Sequence, residues 1–181
     1  GQVIGSTFEE LAYFLDELGG AIKAGIVLGQ GEFSAISQDV QMLILQRAVS
    51  FQAIEKGKGK FTFGFSAYGL GDQKALHSLG ISIKKRISSE GVKCRFVTSR
   101  EQTLSSVVVA KNRLAQKSGM EVVFLKAPTP RAVYFGRTIA VQNFESYAVR
   151  DFGKPARRPR SGMLPPKLAQ IMINYTGLSP L

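Results

Sequence analysis

Hydrophobic positions along the chain recur with two different spacings, which predict helices in some stretches and strands in others. Apolar residues three or four positions apart mark one face of a helix, whereas strict alternation marks a strand. The clearest alternation is that of the three phenylalanines within residues 61–65, which alternate with Thr62 and Gly64. The predicted helices cover residues 7–18, 38–55, 73–89, 103–116 and 163–174, and the predicted strands cover residues 21–28, 61–65, 93–98, 122–126 and 132–141.

The order of these elements predicts a small α+β or α/β fold. From residue 38 onward, helices and strands alternate before two strands follow in succession, so we expect a small layered fold whose helices cover one face of a sheet. Residues 29–34 are predicted to form a loop. Residues 150–162 are rich in Pro, Gly and Arg, a composition typical of a linker.

The helix predicted after this linker has an apolar face without an obvious partner. Leu168, Ile171, Met172 and Tyr175 form that face at helical spacing. No other predicted element is an evident match for it. We therefore expect the sequence to stop inside a larger protein.

The composition is that of a soluble globular protein, and it excludes several kinds of site. Of the 181 residues, 44% are hydrophobic and 20% are charged. There is no apolar run of the roughly 18 residues that a transmembrane helix needs, and no basic-then-apolar leader. One cysteine cannot form an internal disulfide, and one cysteine with one histidine cannot form a zinc site. We expect a cytoplasmic protein with no membrane contact and no bound metal.

Positive charge is concentrated in two stretches. The net charge is +11 and the isoelectric point is about 10.0. Residues 84–117 carry a net charge of +7 and residues 150–167 carry +5, so these two stretches hold all of the excess. Concentrated positive charge is typical of proteins that bind polyanions, because each neutralised phosphate releases counterions. A solvated basic surface without a ligand is the alternative.

The predicted elements place these cations on a helix, the following strand and the next helix. Contacts to phosphates would position an RNA, while its shape would select it. Nearby aromatic residues could stack on bases, although core packing is the alternative for Tyr68, Phe135, Phe144 and Tyr147. The predicted RNA-binding residues are Lys84, Lys85, Arg86, Lys93, Arg95, Lys111, Arg113, Arg137 and Arg157.

No catalytic residue is predicted. His77 lies within an amphipathic helical pattern, and Cys94 lies in a strand pattern typical of a small core residue. The acidic pairs at residues 9–10 and 16–17 are adjacent on a helix, so their carboxylates do not converge. The glycine-rich residues 64–71 match neither a phosphate loop nor a dinucleotide-binding fingerprint.

The C-terminal part of the chain contains a distinctive run of residues. It reads Arg150-Asp151-x-x-x-Pro155, then Arg158-Pro159-Arg160-x-Gly162, then Met163-Leu164-Pro165-Pro166-Lys167-Leu168-Ala169-Gln170-Ile171-Met172-Ile173-Asn174. This segment closely resembles the one that opens the catalytic domain of THUMP-containing RNA guanine-N2 methyltransferases. Upstream, residues 18–23 resemble the end of that family's ferredoxin-like domain. The stretch that begins at Phe61 resembles parts of its THUMP domain, with the similarity carried by residues 104–106, 121–123 and 136–142.

The resemblance implies a division of the chain into four parts. These are the end of a ferredoxin-like domain (1–35), a THUMP-like α/β domain that binds RNA (36–145), a basic linker (146–162) and the first helix of a Rossmann-like methyltransferase domain (163–181). In this family the first two parts bind tRNA, typically at its acceptor and 3′ end. The resemblance therefore implies tRNA or another structured RNA as the partner.

The resemblance also implies S-adenosylmethionine as the cofactor of the full-length protein. The residues expected near it are Arg158, Pro159, Met163, Leu164, Pro165 and Lys167. The family's glycine loop for the methyl donor and its Asn/Asp-Pro-Pro-Tyr loop for the target amine are not among the 181 residues. We therefore expect this chain alone to be inactive, with a methyltransferase domain supplied in cis or in trans.

Two further hypotheses remain open at this point. The chain could be a stand-alone RNA-binding module that associates with the ribosome or with a separate catalytic subunit. It could also be a fragment of a DNA methylase.

Overall fold

The computed structural model describes residues 8–56, 58–153 and 164–177. Helices and strands are mixed along this part of the chain. They are α1 Phe8–Leu18, β1 Lys23–Glu32, α2 Phe33–Ile54, β2 Phe61–Tyr68, α3 Gln73–Ser89, β3 Cys94–Val97, α4 Ser106–Lys111, β4 Gly119–Lys126, β5 Ala132–Val141, α5 Phe144–Phe152 and α6 Pro166–Tyr175.

The strands form one five-stranded mixed sheet in the order β1-β5-β4-β2-β3. Strand β2 is parallel to both of its neighbours, β3 and β4, whereas β4 and β5 are antiparallel. The predicted α+β class is confirmed. The register aligns Thr62 with Arg95 and Val122 with Arg137, and these two pairs decide where the corresponding arginines lie.

The chain divides into two compact units. The larger unit comprises residues 25–139, and the smaller comprises the described residues of 1–24 and 140–181. Strand β1 pairs with β5, so residues 25–32 belong to the larger unit. The predicted domain division, with boundaries at residues 35/36, 145/146 and 162/163, stays a prediction.

Helices α2 and α3 cover one face of the sheet in the larger unit. Ile44 of α2 and Ile83 and Ile87 of α3 are fully buried, together with Phe61 and Phe63 of β2. Burial of such a side chain contributes about 1.5–3 kcal/mol. This apolar layer packs against the edge strand β3 and its neighbour β2.

The opposite face of β2 is also covered, contrary to the prediction that helices cover one face only. Leu104, Val109 and Leu114 are buried in the α4 region, which packs on this side. A Cβ atom at Gly64 would lie 2.7 Å from Cδ1 of Leu104, so the strand needs glycine there. The short α4 does not reveal this covering role by its periodicity.

Several predicted boundaries are wrong. The loop predicted at residues 29–34 is not present: β1 continues to Glu32 and α2 begins at Phe33, because edge pairing with β5 extends the strand. The predicted helix 103–116 is reduced to Ser106–Lys111, because the chain turns at Arg113. Part of the predicted linker is α5, whose first backbone N–H groups are capped by the Asn143 side chain.

The smaller unit contains α1, α5 and α6. The hydroxyl of Tyr147 donates to the carbonyl of Asp16, and Asn174 Nδ2 donates to the carbonyl of Glu17 at 2.8 Å. The C-terminal helix therefore has partners within the chain, contrary to expectation. Much of its apolar face is still exposed, since Met172 is 53% and Tyr175 87% accessible.

Within the described residues, no helix has both the length and the apolar character required to cross a membrane.

Candidate nucleic-acid interface

A cleft rich in cations opens in the larger unit, at the edge of the sheet where β2 and β3 begin. Its volume is about 410 Å³. We call it the basic cleft. Its lining consists of Phe51, Glu55, Gly59, Lys60, Thr62, Arg95, Lys111, Asn112, Arg113 and Ser118.

Two of its cations come from the parallel strands. Lys60 directly precedes β2, and Arg95 lies in β3 opposite Thr62. Neighbouring residues of a strand point to opposite faces, and here Phe61 and Cys94 turn toward the buried α2–α3 layer. Arg95 and Thr62 therefore point to the other face, where α4 lies.

The other two cations come from the end of α4. Lys111 is its last residue, and Arg113 follows in a tight turn with φ of 55°, the left-handed region that favours glycine. Within this turn the N–H of Leu114 donates to the carbonyl of Val109 at 2.9 Å. The turn packs closely on Gly119, where a Cβ would lie 2.5 Å from the Arg113 carbonyl oxygen.

The electrostatic balance of the cleft is strongly positive. Four cations face one carboxylate, that of Glu55, which leaves a formal charge of +3. Among the described residues, no carboxylate forms a salt bridge with Lys60, Arg95, Lys111 or Arg113. Positive charges gathered in a concavity raise the local concentration of anions.

The described lining of the cleft contains no histidine, no cysteine and no pair of carboxylates. In the described part of the chain, no group of three or more potential metal ligands comes together. The prediction of no catalytic residue and no metal site stays a prediction.

A second depression of about 420 Å³ lies beside the cleft. We call it the adjoining groove. Lys60 lines both depressions, and the groove also contains Lys93, Ser88 and the buried Cys94. The groove is less densely charged than the cleft.

The predicted RNA-binding residues do not all come together. Arg95, Lys111 and Arg113 line the cleft, and Lys93 lines the adjoining groove. Three other predicted RNA-binding residues, Lys84, Lys85 and Arg86, are exposed on α3 and line neither depression. The reason is topological, because α3 covers the sheet face opposite to the one from which Arg95 projects.

Arg137 also lies apart from the cleft. It is opposite Val122 in the sheet, so it faces α2. Burial lowers the pKa of Arg47 in α2, and the nearby charge of Arg137 lowers that pKa further. The Nε of Arg47 is buried without a hydrogen-bond partner. Arg157 lies outside the described residues.

The residues implied to bind the cofactor are described only in part. Arg158, Pro159 and Met163 lie outside the described residues. Leu164 and Pro165 are exposed before α6, and the Lys167 Nζ lies 5.1 Å from the centre of the Tyr147 ring. These three residues by themselves do not enclose a ligand.

Sequence reasoning missed part of the lining. Lys60 belongs to the lysine-glycine repeat of residues 56–60, whose sequence is typical of a basic turn and does not by itself indicate a binding site. Phe51 and Glu55 lie at the end of a predicted helix, where no motif marks them as binding residues. Only the tertiary structure places Phe51, Glu55 and Lys60 beside Arg95.

Comparison with known proteins leaves the family open. No protein-family description matches the chain, and no curated protein sequence matches it. One solved structure that it resembles is the crystal structure of PH1313 from Pyrococcus horikoshii Ot3, with 13% identity and a TM-score of 0.36. The matched region covers 75% of this chain and 40% of that chain, so this chain spans less than half the length of PH1313. A likeness this distant carries no functional argument.

Proposed function

We propose that the chain binds RNA, with the basic cleft as its principal phosphate-binding surface. The observation that carries this proposal is the convergence of Lys60, Arg95, Lys111 and Arg113 from separate segments on one depression. Such convergence costs stability through like-charge repulsion unless an anion is bound. Phosphates are the anions that a dense cluster of lysine and arginine binds best.

The parent protein is proposed to be an S-adenosylmethionine-dependent tRNA guanine-N2 methyltransferase. The support is the sequence resemblance described above, in which residues 36–145 correspond to a THUMP-like domain and residues 1–35 to a ferredoxin-like remnant. The task of the chain is then to hold the tRNA while a methyltransferase domain acts on one guanine. The methyl donor is proposed only for the longer protein, because Leu164, Pro165 and Lys167 do not form a site alone.

A partner domain or subunit is supported by the exposed apolar surface of the smaller unit. Leu168 and Met172, four residues apart on α6, are 45% and 53% accessible. Apolar residues clustered at a surface are typical of contact with another protein. This is compatible with a catalytic domain in cis or a catalytic subunit in trans.

Arg113→Gly is the sharpest test of RNA binding. Glycine adopts the left-handed conformation of residue 113 without strain, so the variant should fold at least as stably as the parent while it loses one cleft cation. We expect about tenfold weaker tRNA binding and a slope of log affinity against log salt reduced by about 1. Fluorescence anisotropy at several salt concentrations measures both quantities.

Arg131→Gly is the matched control. Arg131 also has a left-handed φ, of 63°, and is exposed in the β4–β5 turn outside the cleft. It loses the same charge from the same backbone conformation, and we expect little change in affinity. Equal effects of the two variants, or binding that does not depend on salt, would contradict the proposal. Tighter binding of duplex DNA than of tRNA would favour the DNA methylase instead.

A further inference from the structure

We propose that the basic cleft binds a terminal phosphate monoester of a nucleotide, while the adjoining groove receives the diester that follows it. This inference rests on the proposed function and specifies the chemical group at its site. The observation behind it is that the basic cleft and the adjoining groove share Lys60 and differ in the number of cations in their lining.

The charge in the cleft matches a monoester better than a diester. A phosphate monoester carries about −1.5 to −2 charges near neutral pH, whereas an internal phosphodiester carries one. The formal charge of +3 in the cleft would remain largely uncompensated by a single diester. A dianion offsets about two of these charges, and it brings more acceptor oxygens to the converging donors.

The donor types also suit a terminal phosphate. Arg95 and Arg113 each present a planar guanidinium that can hold two phosphate oxygens at once, while Lys60 and Lys111 act as point charges. A terminal phosphate offers three oxygens that are not in the chain, so several donors can approach it together. An internal phosphate offers only two such oxygens.

The size and walls of the cleft suit one nucleotide. Its volume of about 410 Å³ lies at the lower end of the range for small-molecule sites, about 300–1,000 Å³. One wall is the ring of Phe51, which is 6.0 Å from the ring of Phe61 between centroids. A ring held by such packing can support a ribose or a base.

The adjoining groove suits the next nucleotide. It is of similar size, and its described lining contains two cations, Lys60 and Lys93. Because Lys60 lines both depressions, a strand that leaves the cleft can enter the groove without leaving the positively charged surface. The lower positive charge of the groove matches the single negative charge of a phosphodiester.

Binding of short RNA oligonucleotides of one sequence tests the inference. The oligonucleotides carry a 5′-phosphate, a 3′-phosphate or hydroxyls at both ends, and affinity is measured by fluorescence anisotropy with the full chain. We expect one phosphorylated form to bind about tenfold more tightly than the hydroxyl form. Arg113→Gly should abolish this preference, and Arg131→Gly should keep it.

Acidification provides an independent measurement. The preference should decline below about pH 6, where the phosphate monoester dianion takes up one proton and becomes a monoanion. The hydroxyl-ended oligonucleotide at the same pH controls for any effect of acidification on the protein itself. A preference that stays constant from about pH 7.5 to about pH 5 would overturn the inference.

The outcomes separate this inference from the proposed function. Equal affinity for all three oligonucleotides, with Arg113→Gly weakening each of them, overturns the monoester site and leaves RNA binding intact. If Arg113→Gly weakens none of them, both proposals fail. A mononucleotide that competes as well as the phosphorylated oligonucleotide would support the monoester site but identify a free nucleotide as its ligand, against RNA.

Discussion

At the scale of single residues, the buried carboxylate of Glu121 ties the cleft to the sheet. Glu121 is fully buried on the face that α4 covers, and it accepts hydrogen bonds from the hydroxyls of Ser66 and Thr138, each at 2.5 Å. The Ser66 hydroxyl oxygen also accepts the N–H of Leu104 at 2.8 Å. A buried carboxylate requires such partners, since desolvation without them is costly. These contacts hold the segment that leads into α4 and to Arg113.

Ser66→Ala should therefore destabilise the protein although it changes only one oxygen atom. It removes a donor to Glu121 and the acceptor of the Leu104 N–H, which we expect to lower the free energy of unfolding by about 2 kcal/mol. Urea denaturation measures this quantity. Ser78→Ala, at an exposed position of α3, is the control and should change stability by less than about 0.5 kcal/mol. Equal stabilities of the two variants would show that the buried hydrogen bonds are unimportant.

At the scale of elements, the contact of α3 with β3 depends on one glycine. A Cβ at Gly80 would lie 2.1 Å from Cζ of Phe96, far inside contact distance. The Phe96 ring stacks on Phe63 with centroids 5.1 Å apart, so it cannot easily move away. The absent side chain of Gly80 thus allows α3 to pack directly on β3.

Gly80→Ala should be destabilising, although alanine is normally better than glycine inside a helix by about 1 kcal/mol. We expect a loss of about 2–3 kcal/mol because the added methyl group overpacks the interface. Combination with Phe96→Leu should cost less than the sum of the two single changes, since the smaller side chain makes room. Additive effects in a thermal or urea denaturation series would contradict this packing.

At the scale of the whole molecule, each compact unit contains a tyrosine whose pKa is raised. Burial raises the pKa of Tyr68 in the larger unit, and the charge of Glu121 raises it further. Burial also raises the pKa of Tyr147 in the smaller unit, against a lowering by Arg150. An unfolded tyrosine ionises at its ordinary pKa, so above that pH ionisation stabilises the unfolded state relative to the folded state.

We therefore expect tyrosine ionisation to leave the free energy of unfolding unchanged below about pH 10. The free energy of unfolding should fall as the pH rises through the raised tyrosine pKa values. Tyr68→Phe and Tyr147→Phe should each reduce the loss between about pH 9.5 and about pH 11. Near neutral pH only Tyr147→Phe should cost about 1 kcal/mol, because its hydroxyl donates to the Asp16 carbonyl. Urea denaturation across this pH range checks both statements, and an unchanged alkaline slope in both variants would refute them.

Local patterns in the sequence were sufficient to predict the strongly periodic elements. Helix α3 covers residues 73–89 and strand β5 covers residues 132–141, as predicted, because a buried face imposes its period on the residues of a single element. The excess of positive charge, the α+β class and the burial of Cys94 also follow from composition and alternation. Shorter elements such as α4 contain too few turns to show a period.

Only the tertiary structure decided which cations lie together in one cleft. Lys84 and Arg95 are close in sequence, yet α3 and α4 cover opposite faces of the sheet, so only Arg95 joins Lys111 and Arg113. The burial of Glu121 depends in the same way on hydroxyls from β2 and β5, which are 55 and 17 residues away. Periodicity tells which side of an element is apolar. It does not tell which other element covers that side, because this depends on strand order and on the face that each connection crosses.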